Sequence, residues 1–290
     1  MYKKFKKDPY FLQKYYVASF VLLVLACLGA FFILDIESEI LYWLPVCILF
    51  SSTSFISILI SLFVSALLCW KLNVDFSSLK LLVMLFCGIY SGIWANVLIH
   101  NASHGSIKPR WLNRLVGEIV GIQLLSGFPG FAIIHIEHHR HSDDLEKDPH
   151  PNPPNTSFWE YIDKTRAQLR ICFGRLYTET WGNNENYSKS WKRIRPLIPL
   201  NRIARAILIL IILGPLYFTY IFIVSHITTQ LAFGVINYYS HMPKKDGLTQ
   251  IVNLDHNIVF KVLNRCFSEA FYHKNHHEKP YLFNPMKRTD

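Results

Sequence analysis

The chain has 290 residues, 51% hydrophobic and 15% aromatic, with only 17% charged and a net charge of +10. Globular domains carry about 25% charged residues, so this composition leaves a wet surface in short supply. It excludes a disordered chain, a collagen and a small disulfide-stapled domain.

A basic head (Lys3, Lys4, Lys6, Lys7, Lys14) leads into an apolar run over 15–34. At about 20 residues this run exceeds a signal-peptide h-region, and no A-x-A site follows, so it predicts a membrane helix rather than a cleavable signal. The acids Asp35, Glu37 and Glu39 interrupt it, and 15–70 holds no Lys or Arg. A second run, 40–70, precedes a polar hinge at 71–78, and a third, 79–99, ends on His100. Between 105 and 200 the sequence is mixed. An apolar patch at 119–134 predicts a dip into the membrane, followed by prolines at 149, 151, 153 and 154. Leu169, Ile171, Cys172, Phe173, Leu176 and Tyr177 then alternate with Arg166, Arg170 and Arg175. That mixture predicts a helix lying on the bilayer surface, with Trp159, Trp181 and Trp191 as interfacial anchors. Residues 206–243 contain no charged side chain. As one helix they would span about 57 Å, against a hydrocarbon core of about 30 Å. A tight hairpin turning near Gly214-Pro215 is expected instead of a projecting helix, because it returns His241 to the side on which the run began. A polar tail closes the chain, and there is no internal repeat or low-complexity segment.

Fifteen of the thirty Lys and Arg residues fall between Lys108 and Arg205, and eight between Lys244 and Arg288. Both blocks flank apolar spans, where basic residues mark cytoplasmic loops. They also attract anionic lipid head groups or an acidic protein partner, and no nucleic acid is expected. Of the six cysteines, four lie inside apolar runs and none forms a CxxC, so they read as small buried hydrophobes.

Nine of the thirteen histidines fall into four elements: His100 and His104; His135, His138 and His139; His241, closing Asn237-Tyr-Tyr-Ser-His241; and His273, His276 and His277. Spacings of three and four stack side chains on one helix face. Each element sits at the polar end of an apolar run or in an adjoining loop. Neutral imidazole is a common ligand for iron, zinc, copper and nickel, and nine exceed what one ion takes, so two metals fit the count. A zinc metalloprotease needs H-E-x-x-H; His135 and His139 have that separation, but Glu137 stands two places along and points to another face. His141, His150, His226 and His256 read as surface or packing residues, with His141 also placed to support a ligand from behind.

Boxes of the form HxxxH, HxxHH and HxxHH, in that order and separated by apolar spans, resemble the membrane fatty-acid desaturase superfamily, whose members include acyl desaturases, lipid hydroxylases and carotenoid ketolases. Asn237 and His241 match the family's Asn-x-x-x-His element, and Asp148-Pro149 resembles the acidic-Pro pair that follows box two. The resemblance covers roughly residues 70–285. It implies an all-α integral membrane protein, a transmembrane bundle with a cytoplasmic histidine-rich cap. It divides the chain into a basic head with membrane helices (1–70) and a catalytic domain (71–290). It also implies two Fe ions held by the nine histidines, with Asn237 contributing through a water, and O2 as co-substrate. Asp144 and Asp148 are candidates for orienting the rings. An apolar tunnel for the acyl chain is expected among the membrane helices. A separate ferredoxin-like or cytochrome-like electron donor is implied, for which the basic loops 164–205 offer a docking surface.

Family members make an even number of crossings between a cytoplasmic N-terminus and box one, yet three apolar runs precede His100. Either the run 40–70 folds back near Ser51-Ser-Thr-Ser54, or the first helix lies in the interface, or the N-terminus is outside; the five lysines of the head oppose the last. The expected activity is desaturation of a fatty acyl chain on a lipid or carrier. Oxygen insertion by a hydroxylase or ketolase is the alternative within the superfamily. A metal transporter is the alternative outside enzymes, although transporters place their ligands near the bilayer midplane.

Overall fold

Long uncharged runs become long helices here, and the helices decide where the histidines meet. The computed structural model describes residues 1–34, 38–52, 54–72, 74, 77–182, 185–243 and 249–284. Asp35, Glu37, Lys244 and Arg288 lie outside the described residues, as do the side chains of Arg166, Leu169 and Arg170.

A short helix α1 (Tyr2–Phe5) precedes α2 (Phe11–Ile33), the first apolar run. The second run is broken at 51–54. A tight turn at Ser38–Trp43 leads into α3 (Leu44–Phe50), and α4 (Phe55–Lys71) follows the break. The two halves fold back on each other: the Trp43 indole donates to Ser65 Oγ at 2.7 Å, and Ser65 Oγ lies 2.6 Å from Thr219 Oγ1. The run therefore folds back, and among the described residues before His100 only α2 (Phe11–Ile33) and the helix over Ser78–His104 are long and apolar enough to cross a membrane. Thr53, at the tip of the fold-back, is outside the described residues.

The third run forms α5 (Ser78–His104). Ser77 caps it by accepting the Lys80 N–H, and Gly105 ends it at φ 71°, a left-handed position that suits glycine. The amphipathic α6 (Arg110–Gln123) and the mostly buried α7 (Phe128–Arg140) follow with a 99° bend between them. This bent pair is the form taken by the apolar patch at 119–134.

Next come α8 (Phe158–Trp181), α9 (Glu185–Tyr217), a wide turn at Phe218–Ile223 and α10 (Val224–Ser240). Among the described residues, three helical stretches are long and apolar enough to cross a membrane: Phe11–Ile33, Ser78–His104 and the 54-residue Tyr187–Ser240. The last would run about 81 Å if straight. It is instead broken at Gly214, with φ 71° and ψ 167° just before Pro215. Its arms double back. Phe50 stacks edge-on to His226 at 4.9 Å, while Ser52 O accepts from Arg202 at 2.7 Å. Arg202 and His226 each lie twelve residues from Gly214, so they meet one hairpin tip at the same depth. The hairpin expected near Gly214-Pro215 is therefore present.

Close packing aligns the arms with their neighbours. Asn201 donates to Tyr16 O at 3.0 Å and Arg205 to Ser19 Oγ at 2.9 Å, which sets α9 parallel to α2. Along α5, Gly88 faces Ile221 and Val224, and Gly92 faces Ser225 and Thr228. A Cβ at Gly92 would lie 2.4 Å from Ser225 O, so only glycine allows this approach. Because α5 and α10 run parallel, His100 and Asn237 arrive at the same end.

A two-stranded ribbon, β1 (His241–Pro243) with β2 (Thr249–Ile251), continues from α10 and pairs His241 with Ile251. Helices α11 (Ile258–Cys266) and α12 (His273–Glu278) follow. The molecule is an all-α multi-pass membrane protein apart from this ribbon.

The arginine-rich segment differs from its expectation. Phe173, Leu176 and Tyr177 of α8 are buried against Phe5, Tyr16 and Ile133 rather than turned to lipid. Trp181 and Trp191 pack against the same cluster, and of the three only Trp159 is well exposed, at 62%. The cause is the N-terminal head. It folds back so that Phe5 sits 5.3 Å from Tyr177 and 5.0 Å from Trp181, which covers the apolar face of α8. The described residues of 164–205 are almost all helix, in α8 and α9, not loops.

Candidate metal centre

Four elements carry the histidines to one end of the bundle. The last turn of α5 presents His100 and His104, and α7 presents His135, His138 and His139. His241 stands where α10 passes into β1, and α12 supplies His273, His276 and His277. Their ligand atoms form two groups, each with all members within 4.8 Å of one another: His100, His104, His135, His139 and His276, and then His138, His241, His273 and His277. All nine expected histidines are thereby brought together, none is shared, and none of the other four joins them.

The spacing within the groups suits a cation. His104 Nε2 lies 2.7 Å from that of His135 and 3.1 Å from those of His139 and His276. In the second group, His273 Nε2 is 3.1 Å from His241 Nε2 and from His277 Nε2. One proton serves one such contact. Several imidazole nitrogens converging at this range leave lone pairs facing lone pairs unless a positive ion lies among them. The Nε2 atoms of His100 and His138 are buried with no hydrogen-bond partner, although buried polar groups are normally satisfied. An all-nitrogen donor set with no thiolate or carboxylate fits iron, zinc or copper.

Two aspartates fix the second group's rings. His138 Nδ1 is 2.9 and 3.0 Å from the Asp148 oxygens, and His241 Nδ1 is 2.8 Å from Asp143 Oδ1. Each Nδ1–H donates outward, which leaves the Nε2 lone pair free to face the partner histidines. Burial alone would raise the Asp148 carboxyl, but the His138 imidazole and its hydrogen bond outweigh that and hold it at about 2. Asp148 also accepts the backbone N–H of Asp143 and of His150 at 2.9 and 2.7 Å, so it ties the whole loop after α7 to the site.

The expected role of Asp148 is matched by its position, whereas that of Asp144 is not. Asp144 is half-buried and caps its own turn by accepting the Glu146 and Lys147 N–H groups at 2.9 and 3.0 Å. Its neighbour Asp143 reaches His241 instead, because a left-handed backbone at φ 68° turns that side chain inward. Asn237 back-bonds to Phe233 O at 2.9 Å. It also lines, with His100 and His273, a cavity of about 10 Å³, room for one water. Glu137 points away from both histidine groups, as its position in the sequence requires, and accepts from the Tyr2 hydroxyl.

His150 and His226 are buried packing residues, the first beside Phe233 at 4.9 Å. His256 is exposed beside Phe260, and His141 lies against Glu137, 3.7 Å away, rather than behind a ligand. Sequence reasoning missed two asparagine clamps. Asn253 Nδ2 donates to Asn275 Oδ1 at 2.9 Å, and Asn275 N–H returns a bond to Asn253 Oδ1, which anchors α12. Asn101 and Asn284 exchange a similar pair of bonds beneath α5. An asparagine inside each of these histidine boxes is the only signal that could have found them.

A cavity of about 820 Å³ runs up to this end of the bundle, with His135, His150 and Phe233 in its wall. Ile134, Phe131 and Phe173 supply apolar lining. The wall is mostly apolar, and its polar groups include Asn96, Thr229, Gln230, Arg202 and Arg205.

Helices that bring histidines of the form HxxxH, HxxHH and HxxHH together at the end of a membrane bundle define a class of membrane protein whose histidine groups could hold metal ions. The family model for fatty acid desaturases matches residues 77–282, and the chain belongs to that family. Over 80 residues it is 34% identical to the sn-1 oleoyl-lipid 12-desaturase of Anabaena variabilis, a stretch that covers 27% of this chain and 23% of that relative. No solved structure matches the chain.

Proposed function

We propose that the protein is an O2-dependent di-iron oxidoreductase that introduces a double bond into a fatty acyl chain. The observation that carries this reading is the pair of all-histidine groups beside a cavity whose wall includes one of the histidines, His135. Family membership and the likeness to a lipid desaturase support it.

Group one, of five histidines, would hold one iron, and group two, of four, the other, with Asn237 reaching the second through a water. When bound, the irons supply the oxidising power that O2 must provide to remove hydrogen from an unactivated methylene, which no side chain can supply. The chain's own residues do the rest. Asp143 and Asp148 orient His241 and His138. Phe131, Phe173 and Phe233 line the acyl path and keep water from it, while the Trp43–Ser65–Thr219 network holds the hairpin that closes the bundle. Overall, a CH2–CH2 unit loses two hydrogens while O2 takes up four electrons and four protons to become two waters. Two of the electrons come from the substrate and two from a separate carrier, ferredoxin-like or cytochrome-like, for which the basic residues of 164–205 offer a surface.

We assign the catalytic work to residues 71–290 and place the histidine end toward the cytoplasm. The lysines of the head support that orientation, since α1 packs on α7 at the same end as the histidines. Fatty acids from cells that express the chain test the reading. A species two hydrogens lighter than its precursor, missing with His276→Ala, is the expected product. A species one oxygen heavier would reassign the enzyme to oxygen insertion, and no new species in iron-loaded cells would remove the reading.

A further inference from the structure

Arg202 and Arg205 both line the cavity whose wall includes His135. Arg205 is 2% exposed; its Nη2 donates to Ser19 Oγ, while its Nε and Nη1 are buried without a partner. Arg202 gives one bond, to the backbone O of Ser52. Among the described residues neither guanidinium has a carboxylate within ion-pair range. Nearby acids are otherwise engaged: Glu118 by Arg114 and the Tyr15 hydroxyl, and Asp163 by the Phe55 N–H from an exposed position. A buried charge is retained only if something compensates it, and a cation within a membrane span marks a site of function.

Two more cations extend the line. Lys192 and Arg195 are exposed and line the same cavity. All four lie along one side of α9, with about 20 Å of helix axis between Lys192 and Arg205. The row leads from the surface to the two carboxylate-free guanidiniums.

We infer that Arg202 and Arg205 form an anion-recognition site for the oxyanion head of an amphiphilic acyl substrate, a carboxylate or a phosphate, with Lys192 and Arg195 guiding it inward. This rests on the acyl-substrate reading above. Guanidinium forks match both oxyanions with paired N–H donors, and a neutral glycerol or sugar head gains nothing from uncompensated charge. Because the site and His135 share one cavity, a head held there fixes which methylene reaches the histidines. The distance along the chain is thus counted from the head.

The test is equilibrium binding of radiolabelled lipids to the full chain in phosphatidylcholine nanodiscs, without turnover. The probes are oleate, oleoyl-lysophosphatidate and the neutral monoolein. At least one anionic probe is expected to bind about tenfold or more tightly than monoolein. Arg205→Gln and Arg202→Gln should each remove that preference without weakening monoolein, while Arg205→Lys should keep most of it. A preference for oleate alone assigns the carboxylate, one for lysophosphatidate alone assigns the phosphate, and both support the site. Equal binding of all three probes to the wild type, or an undiminished preference in the folded Arg205→Gln protein, would overturn it. His138→Ala separates this from the catalytic reading, since it should lose metal and product yet keep the anion preference.

Discussion

His138 Nδ1 lies 2.9 and 3.0 Å from the two oxygens of Asp148, with both side chains buried. The pair converts a helix residue into an oriented donor, and it couples the α7 histidines to the loop that supplies Asp143 to His241. Asp148→Asn should keep the fold while lowering metal affinity about 10- to 100-fold, the usual cost of losing such a partner. Chelator competition on the purified protein measures it. Asp144→Ala, which removes only a turn cap, should leave affinity unchanged.

Helix contact at Gly92 sets the parallel approach of α5 and α10. Gly92→Ala places a methyl 2.4 Å from Ser225 O and 2.8 Å from Thr228 Cβ, so the helices must separate. A loss of about 1–3 kcal/mol is expected, seen as a lower melting temperature in detergent. Because His100 and Asn237 ride on these helices, metal retention should fall as well. Gly29→Ala, which meets nothing within 4 Å, is the matched control.

Acid should destabilise the metal-free protein. Burial, reinforced by neighbouring imidazoles, holds His273, His276 and His277 below their ordinary value, and burial also lowers His241. These rings stay neutral in the fold, whereas the unfolded chain takes up protons as pH falls through about 6.5. Their contribution is therefore full above that pH and is lost below it, at about 1.4 kcal/mol per pH unit for each ring that remains neutral. The melting temperature of the metal-free protein should drop steeply between pH 6.5 and 5. A flat profile would mean that the rings are not buried as described.

Histidines outside the two groups should divide by burial. His256→Ala, at an exposed position, should change neither metal content nor stability. His226→Ala removes a buried ring from beside Phe50 and should lower stability by about 2–4 kcal/mol while metal content is retained. Thermal melts and metal analysis of the same two preparations check both outcomes.

Much of this was legible in the sequence, for identifiable reasons. Uncharged runs and three- and four-residue histidine spacings are local signals, so the helices and all nine histidines could be read directly. Gly214-Pro215 announced its turn because no helix of that length fits a bilayer. Tertiary facts were not legible. Asp143 rather than Asp144 supports His241 because of one left-handed backbone angle. Trp181 and Trp191 turn inward because the basic head folds over α8, a contact between residues about 175 positions apart in the case of Phe5 and Trp181. Arg202 and Arg205 read as topology charges until the bundle placed them in the cavity wall.

The most direct test of the di-iron reading is the metal content of detergent-purified protein after anaerobic iron loading, beside a His138→Ala variant. About two irons per wild-type chain and clearly fewer in the variant are expected. A folded wild-type protein that binds no iron, or a His138→Ala protein that keeps both, would contradict that reading.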